Sequence, residues 1–296
     1  MLGGLNYLIN PVYLLLYILK DYISLNMLFQ TILPPPGLQS VVRYFWSLEG
    51  SSEDAGRKTF RTMADGCPGI IYQHSDNGIF YQQEKQLPEL FLFGQTTRYA
   101  EISLEGTFNT VGIYFQPNAL QCVFNENAEE LTDLCVDINL LSDRHGFNLS
   151  DQLTEAASPE KKVDILVAYL SLQLNSNRKE NLAMEYALNQ IIQTKGNIDL
   201  GQLQSHLQLS ERSFLRNFKQ YTGMAPKLFS RICRFQSSLK QLRKTDYNKL
   251  SDIAYEQDYA DQSHFIRSFK EFAGLSPNQY QKQTNEVVEN FSEVLK

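Results

Sequence analysis

The sequence predicts an α+β chain of two domains. The amino-terminal one is a β-rich sandwich or small barrel with a helical extension; the carboxy-terminal one is all-α with two helix-turn-helix units. Three observations predict this. The chain has 296 residues, roughly twice the ~150-residue prior for one domain. Its apolar runs change after Pro117 from short, aromatic and β-branched to helically spaced. Charge divides along the chain beneath a net −6: residues 185–283 hold 14 Lys and Arg against 9 Asp and Glu, and residues 1–184 hold 12 against 21. A basic stretch behind an acidic one points to a polyanion-binding module attached to something else. Hydrophobic residues at 43% and charged residues at 20% exclude a disordered or collagen-like chain.

Residues 1–26 read as an amino-terminal extension. Leu5–Leu19 is mostly apolar, but Asn6, Asn10 and Pro11 interrupt it and Lys20-Asp21 follow. A membrane span wants about 18 or more apolar residues, and a secretory signal wants a basic start. An upstream start codon is the favoured reading, and a short membrane-surface anchor is the alternative. A domain then begins near Met27 and extends to 174. Its strand candidates are Val41–Trp46, Gly69–Tyr72, Glu89–Phe93, Tyr99–Ile102 and Val111–Phe115, with Gly, Pro, Asn and Asp between them. Leu131–Leu141, Asn148–Ala157 and Pro159–Leu174 carry helical spacing. The last aligns Val163, Leu166, Val167, Leu170 and Leu174 as a stripe for its own sheet or for a second chain. Residues 175–181 form the linker, 182–283 the helical domain and 284–296 an acidic tail.

The helical domain contains an internal repeat. Ser213–Phe229 and His264–Tyr280 match at a shift of 51 residues, with Phe214/Phe265, Arg216/Arg267, Phe218/Phe269, Lys219/Lys270, Gly223/Gly274 and Pro226/Pro277 identical. Two copies are too few for a solenoid, so the unit is a duplicated supersecondary motif. Ser210 and Asp261 are suited to cap a helix start. Phenylalanines four apart share a core-facing side, Gly223 and Gly274 suit a left-handed stop, and Pro226 and Pro277 suit the first turn of the next helix. Short helices over Leu200–Leu207 and Leu250–Gln257 precede these, each with Leu203 or Ile253 facing inward. A single long helix, Pro226–Lys244, should join the units, since Leu228, Ile232, Phe235, Leu239 and Leu242 follow 4-3-4-3 spacing.

These residues resemble the AraC/XylS family of bacterial transcription regulators. The second unit carries Ile253-Ala254-Tyr255, Tyr259-Ala260-Asp261-Gln262-Ser263-His264-Phe265, Phe269-Lys270, Gly274, Ser276-Pro277 and Tyr280. The first carries Leu209-Ser210-Glu211-Arg212, Phe218-Lys219, Gly223 and Pro226, with Arg234-Phe235 in the connector. Gln208 and Asp258 depart from the family by standing where it places Gly in the turn, and Gln204 departs where it favours Ala. Asp tolerates a left-handed backbone better than Gln, so distortion is expected in the first turn. The resemblance implies double-stranded DNA as partner, with recognition helices in successive major grooves about 34 Å apart. It implies base contacts from Arg212, Leu215 and Arg216 in the first unit and from Gln262, Ser263 and Arg267 in the second. The chemistry agrees: Arg pairs with guanine, Gln with adenine, Ser with several edges, and Leu with a thymine methyl. Phosphate contacts fall to Ser210, Lys219, Lys227, Arg231, His264 and Lys270, which orient without specifying. Packing is an equal reading of His264, and phosphate contact or solvent exposure is the alternative for Arg216 and Arg267.

The acidic domain resembles the β-rich, cupin-like sensor or dimerisation modules of some family members. The matching pieces are Pro34-Pro35-Pro36, Tyr44-Phe45-Trp46, Asp65-Gly66-Cys67-Pro68-Gly69, Gly94-Gln95-Thr96-Thr97 and Gly112–Pro117. Gly94–Thr97 is either a tight turn or a pocket lining. The resemblance implies a cytoplasmic regulator and activator, a homodimer, with an unidentified small-molecule effector and RNA polymerase as candidate further partners and no membrane. No catalytic residue, cofactor or metal site is expected, because the four cysteines and four histidines lack ligand spacing. The alternative is an enzyme, such as a DNA-repair transferase, delivered to DNA by the same module.

Overall fold

The computed structural model describes residues 27–50, 58–74, 78–105, 107–140, 147–177, 181–244 and 247–285. The 1–26 extension and nearly all of the 284–296 tail lie outside the described residues, as do residues 178–180 of the linker. Ten strands occur in the described part: β1 (Met27–Ile32), β2 (Val42–Gly50), β3 (Lys58–Thr62), β4 (Gly69–Gln73), β5 (Ile79–Gln82), β6 (Lys85–Gln86), β7 (Leu90–Phe93), β8 (Ala100–Glu105), β9 (Phe108–Phe115) and β10 (Cys135–Asp137). They build a six-stranded sheet ordered β1-β2-β9-β4-β7-β10 and a four-stranded sheet ordered β3-β8-β5-β6, with antiparallel pairing throughout.

Adjacent residues of the larger sheet enter different cores. Phe45, Ile70, Leu92 and Ile113 join one cluster, while their neighbours Trp46, Ile71, Phe91 and Tyr114 join another. A strand has a side-chain period of two, so a sheet covered on both faces reads as an unbroken apolar run. That accounts for the Val41–Trp46 and Val111–Phe115 runs.

The first cluster is closed by α1 (Ala128–Leu131), α2 (Leu149–Glu155) and α3 (Pro159–Asn177). On α3, Val163, Leu166 and Leu170 are buried, and Val167 and Leu174 pack beside them. The stripe therefore covers the sheet of its own chain, and α3 continues through Asn175–Asn177.

The helix predicted over Leu131–Leu141 is not formed. The single turn α1 is capped by Asn127 and stops before Asp133, whose φ is +57°. Cys135–Asp137 then pairs with β7 as an edge strand, followed by a 3-10 turn at Ile138–Leu140. Val136 and Ile138 pack toward the helices and Cys135 toward the inter-sheet core. Their spacing fits a period of two as well as a helix, and short apolar runs do not separate the two.

The remaining chain is helical: α4 (Leu182–Gln193), α5 (Leu200–His206), α6 (Glu211–Thr222), α7 (Pro226–Lys244), α8 (Leu250–Glu256), α9 (Gln262–Ala273) and α10 (Pro277–Asn285). The connector α7 has the predicted bounds. Its Ile232, Phe235, Leu239 and Leu242 are buried, and Leu228 is half-buried against them. Phe235 centres the packing, its ring 5.3 Å from that of Phe269 and 5.4 Å from that of Phe272. Met63 and Ala64, from the β3–β4 connection, belong to this same helical core.

Replacing Phe235 with Ala should destabilise the full chain by about 3–5 kcal/mol, the usual cost of a large aromatic cavity. Chemical denaturation measures it, and a loss below about 1 kcal/mol would show that α7 is not the shared spine.

Candidate nucleic-acid interface

Each unit is a short helix, a tight turn and a longer helix that starts on a side-chain cap. The Ser210 hydroxyl accepts from the Ser213 N–H at 3.2 Å, and the Asp261 carboxylate accepts from the His264 N–H at 2.6 Å. Both longer helices end on glycine in the left-handed region, with Gly223 at φ +79° and Gly274 at φ +77°. Their N–H groups donate to Lys219 and Lys270 carbonyls at 2.8 and 2.9 Å.

The turns carry the expected departures. Gln208 at φ +54° and Asp258 at φ +57° both take the left-handed backbone that Gly would take freely. In the second turn the Tyr259 N–H donates to the Ala254 carbonyl at 2.9 Å. In the first the equivalent bond, Leu209 N–H to Gln204 carbonyl, is 3.4 Å. The other departure compensates: the Gln204 amide donates to the Leu209 carbonyl at 2.9 Å. The first turn thus adds a side-chain bond to its longer backbone bond, where the second is held by backbone.

Burying Phe214 and Phe218, or Phe265 and Phe269, turns the other helix face outward. Arg212, Leu215 and Arg216 are exposed on α6, and Gln262, Ser263 and Arg267 are exposed on α9. Residues three or four apart share a helix side, so Arg212, Leu215 and Arg216 lie together on α6 and Ser263 and Arg267 on α9, with Gln262 at the start of the same helix. The second group of residues is less uniform. Lys227 and Lys270 are exposed. Ser210 is occupied as a cap and also meets the Ser213 hydroxyl at 2.9 Å. The His264 Nδ1 accepts from the Ala260 N–H at 3.4 Å, and its ring lies 5.3 Å from that of Tyr259. Arg231 pairs with Glu271 and lies 5.1 Å over the Phe272 ring. The Lys219 ammonium lies 2.9 Å from Glu129 of α1, in the amino-terminal part.

That last pair belongs to a contact zone the sequence did not reveal. The Asn118 amide donates to the Tyr221 hydroxyl at 3.2 Å, and the Thr132 hydroxyl donates to the Gly223 carbonyl at 2.8 Å. The Ala64 N–H donates to the Phe272 carbonyl at 3.1 Å, and the Gln236 amide donates to the Ala64 carbonyl at 2.5 Å. These bonds join side chains and backbone groups far apart in sequence, without a motif.

The described residues contain no group of three or more His, Cys, Asp or Glu placed to hold a metal, and no helix long and apolar enough to cross a membrane. Burial pushes the Cys135 thiol to about 11 and the Cys233 thiol to about 12. Such thiols stay protonated near neutral pH and make poor nucleophiles.

Two outcomes follow from this geometry. Gln208→Gly should stabilise the chain by about 0.5–1 kcal/mol, because the relief of left-handed strain exceeds the entropy that glycine loses; a denaturant midpoint unchanged or lowered would contradict it. Cys135 and Cys233 should resist iodoacetamide at pH 8 in the folded chain and label fully in denaturant. Rapid native labelling, read by mass spectrometry, would contradict their protonated state.

Residues 203–283 match a helix-turn-helix domain, and residues 30–137 match a domain of unknown function (DUF6597). An uncharacterized HTH-type transcriptional regulator of Haemophilus influenzae is 36% identical over 77 residues, about a quarter of either chain: 26% of this one and 26% of the relative. The HTH-type transcriptional activator RhaS of Pectobacterium carotovorum is 20% identical over 244 residues, covering 81% of this chain and 86% of its own. The solved structure of ToxT from Vibrio cholerae O395 aligns with a TM-score of 0.42 at 15% identity, covering 88% of this chain and 99% of that one. The carboxy-terminal third of this protein is a helix-turn-helix domain, joined to a β-rich amino-terminal domain.

Proposed function

We propose that the chain is a sequence-specific, DNA-binding transcription regulator acting in the cytoplasm, with DNA recognition in residues 182–283 and sensing in residues 27–174. The observation that carries this reading is the doubled unit: two capped helices, each presenting three exposed residues, Arg216 or Arg267 among them, opposite a buried phenylalanine pair. Arg212, Leu215 and Arg216 would meet bases in one half-site, and Gln262, Ser263 and Arg267 in the other. Lys227 and Lys270 would meet phosphates, and Lys219 would do so after leaving Glu129.

Support for sensing comes from the bulge at β2, where pairing slips between Val42 and Tyr44. Arg43 there lies 5.8 Å over the Tyr114 ring, beside Asp65 and Cys67. Burial, the largest single influence, acts to lower its pKa, and the surrounding groups, Asp65 among them, together keep it raised. The Tyr44 hydroxyl and Asp65 Oδ2 are buried without a protein hydrogen-bond partner. A retained cation among unfilled polar atoms suits a small polar effector. A regulating effector must bind the DNA-competent and incompetent states unequally, and so must shift DNA affinity. The homodimer and RNA polymerase readings rest on the family resemblance, since the α3 stripe covers its own sheet. Sedimentation of the full chain tests the dimer.

The full chain should bind duplex DNA with affinity that falls steeply with salt, because neutralised phosphates release counterions. Arg216→Ala and Arg267→Ala should each cost roughly 1–3 kcal/mol in a different half-site, and Lys270→Ala should weaken all sequences alike. Competition binding over a randomised duplex pool reads both effects. If the Arg changes acted uniformly across sequences, the base-contact assignment would be wrong. Glu129→Gln should raise low-salt affinity up to about fivefold, the limit for an exposed pair; no change would remove Lys219 from the DNA contacts.

A further inference from the structure

The ends of the two recognition helices are equivalent positions in the repeat, and both rest on the amino-terminal domain. An ideal Cβ on Gly223 would lie 2.6 Å from Gln95 Oε1 and 2.6 Å from Thr132 Oγ1. One on Gly274 would lie 2.8 Å from the Tyr99 ring. The carbonyl of Gly223 accepts from Thr132, and the carbonyl of Phe272, two residues before Gly274, accepts from Ala64.

The residues that touch these ends form one hydrogen-bonded platform. The Thr96 carbonyl accepts from the Gly66 N–H at 3.0 Å, and the Thr96 hydroxyl donates to Asp65 Oδ1 at 2.7 Å. The Gln95 carbonyl accepts from the Asp133 N–H at 3.0 Å, and the Thr97 N–H donates to Asp133 Oδ1 at 2.8 Å. The Gln95 amide is itself anchored on the Pro117 carbonyl at 3.2 Å. Segments 64–66, 94–99 and 131–134 are thereby stitched together, and the stitched piece meets α6 on one side and α9 on the other. Apart from this platform, α6 and α9 are joined through α7, on which both pack.

We infer that this platform is a jig that sets the spacing and phase of the two recognition helices, with Tyr99 and Thr132 as positioning residues for two-site DNA recognition. The inference rests on the DNA-binding reading and adds to it what fixes the half-site spacing. The lever is long. Arg212 lies eleven residues before Gly223, roughly 16 Å along a helix rising 1.5 Å per residue. A 5° tilt at the glycine end thus moves Arg212 by about 1.4 Å, beyond the ~0.5 Å tolerance of a productive polar site. Gln262, twelve residues before Gly274, has a similar lever.

The test uses the full chain with Tyr99→Ala, Thr132→Val and the conservative Tyr99→Phe. Duplexes selected in vitro by the wild type are compared with the same duplexes carrying two inserted base pairs between half-sites, and with single half-sites. Tyr99→Ala and Thr132→Val should reduce spacing discrimination by roughly fivefold or more, within the usual range of site coupling. Single half-site affinity should stay at the wild-type level, and Tyr99→Phe should behave as wild type. Spacing discrimination equal to the wild type in both disruptive variants would overturn the jig. Amide hydrogen exchange provides a readout without DNA: Thr132→Val should speed exchange around Gly223, and Tyr99→Ala around Gly274. Unchanged exchange at both would overturn the jig whatever the DNA result. A wild type that binds no duplex at low salt would instead overturn the DNA-binding reading, and the jig's role in recognition with it.

Discussion

A recognition helix has to stop where its fold requires it, and a left-handed residue without a side chain makes the stop. Gly223 and Gly274 meet two demands at once: a positive φ that costs other residues about 1–2 kcal/mol, and a contact with no room for a Cβ. Asn could meet the first demand but not the second. The same glycine that ends each helix therefore also lets the amino-terminal domain approach it, and the orientation of both DNA-facing surfaces depends on those two positions.

The turn positions show the contrast. Gln208 and Asp258 need the left-handed backbone too, yet both are exposed, so their side chains meet no wall and only the strain remains. Asp absorbs it with a well-formed backbone bond, whereas Gln208 leaves a longer one that the Gln204 amide supplements. The departures at Gln204 and Gln208 are one compensated change.

Most of the helical part was legible because its signals are local. Caps at Ser210 and Asp261, stops at Gly223 and Gly274 and the stripe of α7 each depend on a few residues read in order, and the repeat doubled every signal. The six exposed triplet residues came from the family resemblance, carried over by position, and burial of the phenylalanine pairs leaves them facing outward. In the β-rich part, β2, β4, β7, β8 and β9 were legible, but β1, β3, β5, β6, β10 and the pairing were not, because antiparallel register is set by contacts far apart in sequence. The Leu131–Leu141 segment misled for a related reason: Val136 and Ile138 alternate with Cys135 across a sheet edge, which local spacing cannot tell from a helix turn. The platform was illegible in kind. Gly94–Thr97, expected as a turn or a pocket wall, is an irregular segment whose polar groups tie together three chain segments.

Charge gives the remaining constraint. The amino-terminal part is acidic and lies directly against a basic recognition unit, with Glu129 holding Lys219 at 2.9 Å. Exposed pairs of this kind contribute at most about 1 kcal/mol, so the pair cannot hold the domains together. The shared core around Met63, Ala64 and Phe229 does that. What the acidic surface can do is act at longer range, within roughly a Debye length of 8–10 Å. There it lowers the positive potential beside α6, whose unit over 200–222 still carries three Arg and Lys against one Glu, whereas the unit over 250–273 carries two against five Asp and Glu of its own. The two units are alike in fold but unlike in field. Phosphate attraction should therefore favour engagement of the first unit before the second, with the connector α7 and the platform delivering the second unit to its groove.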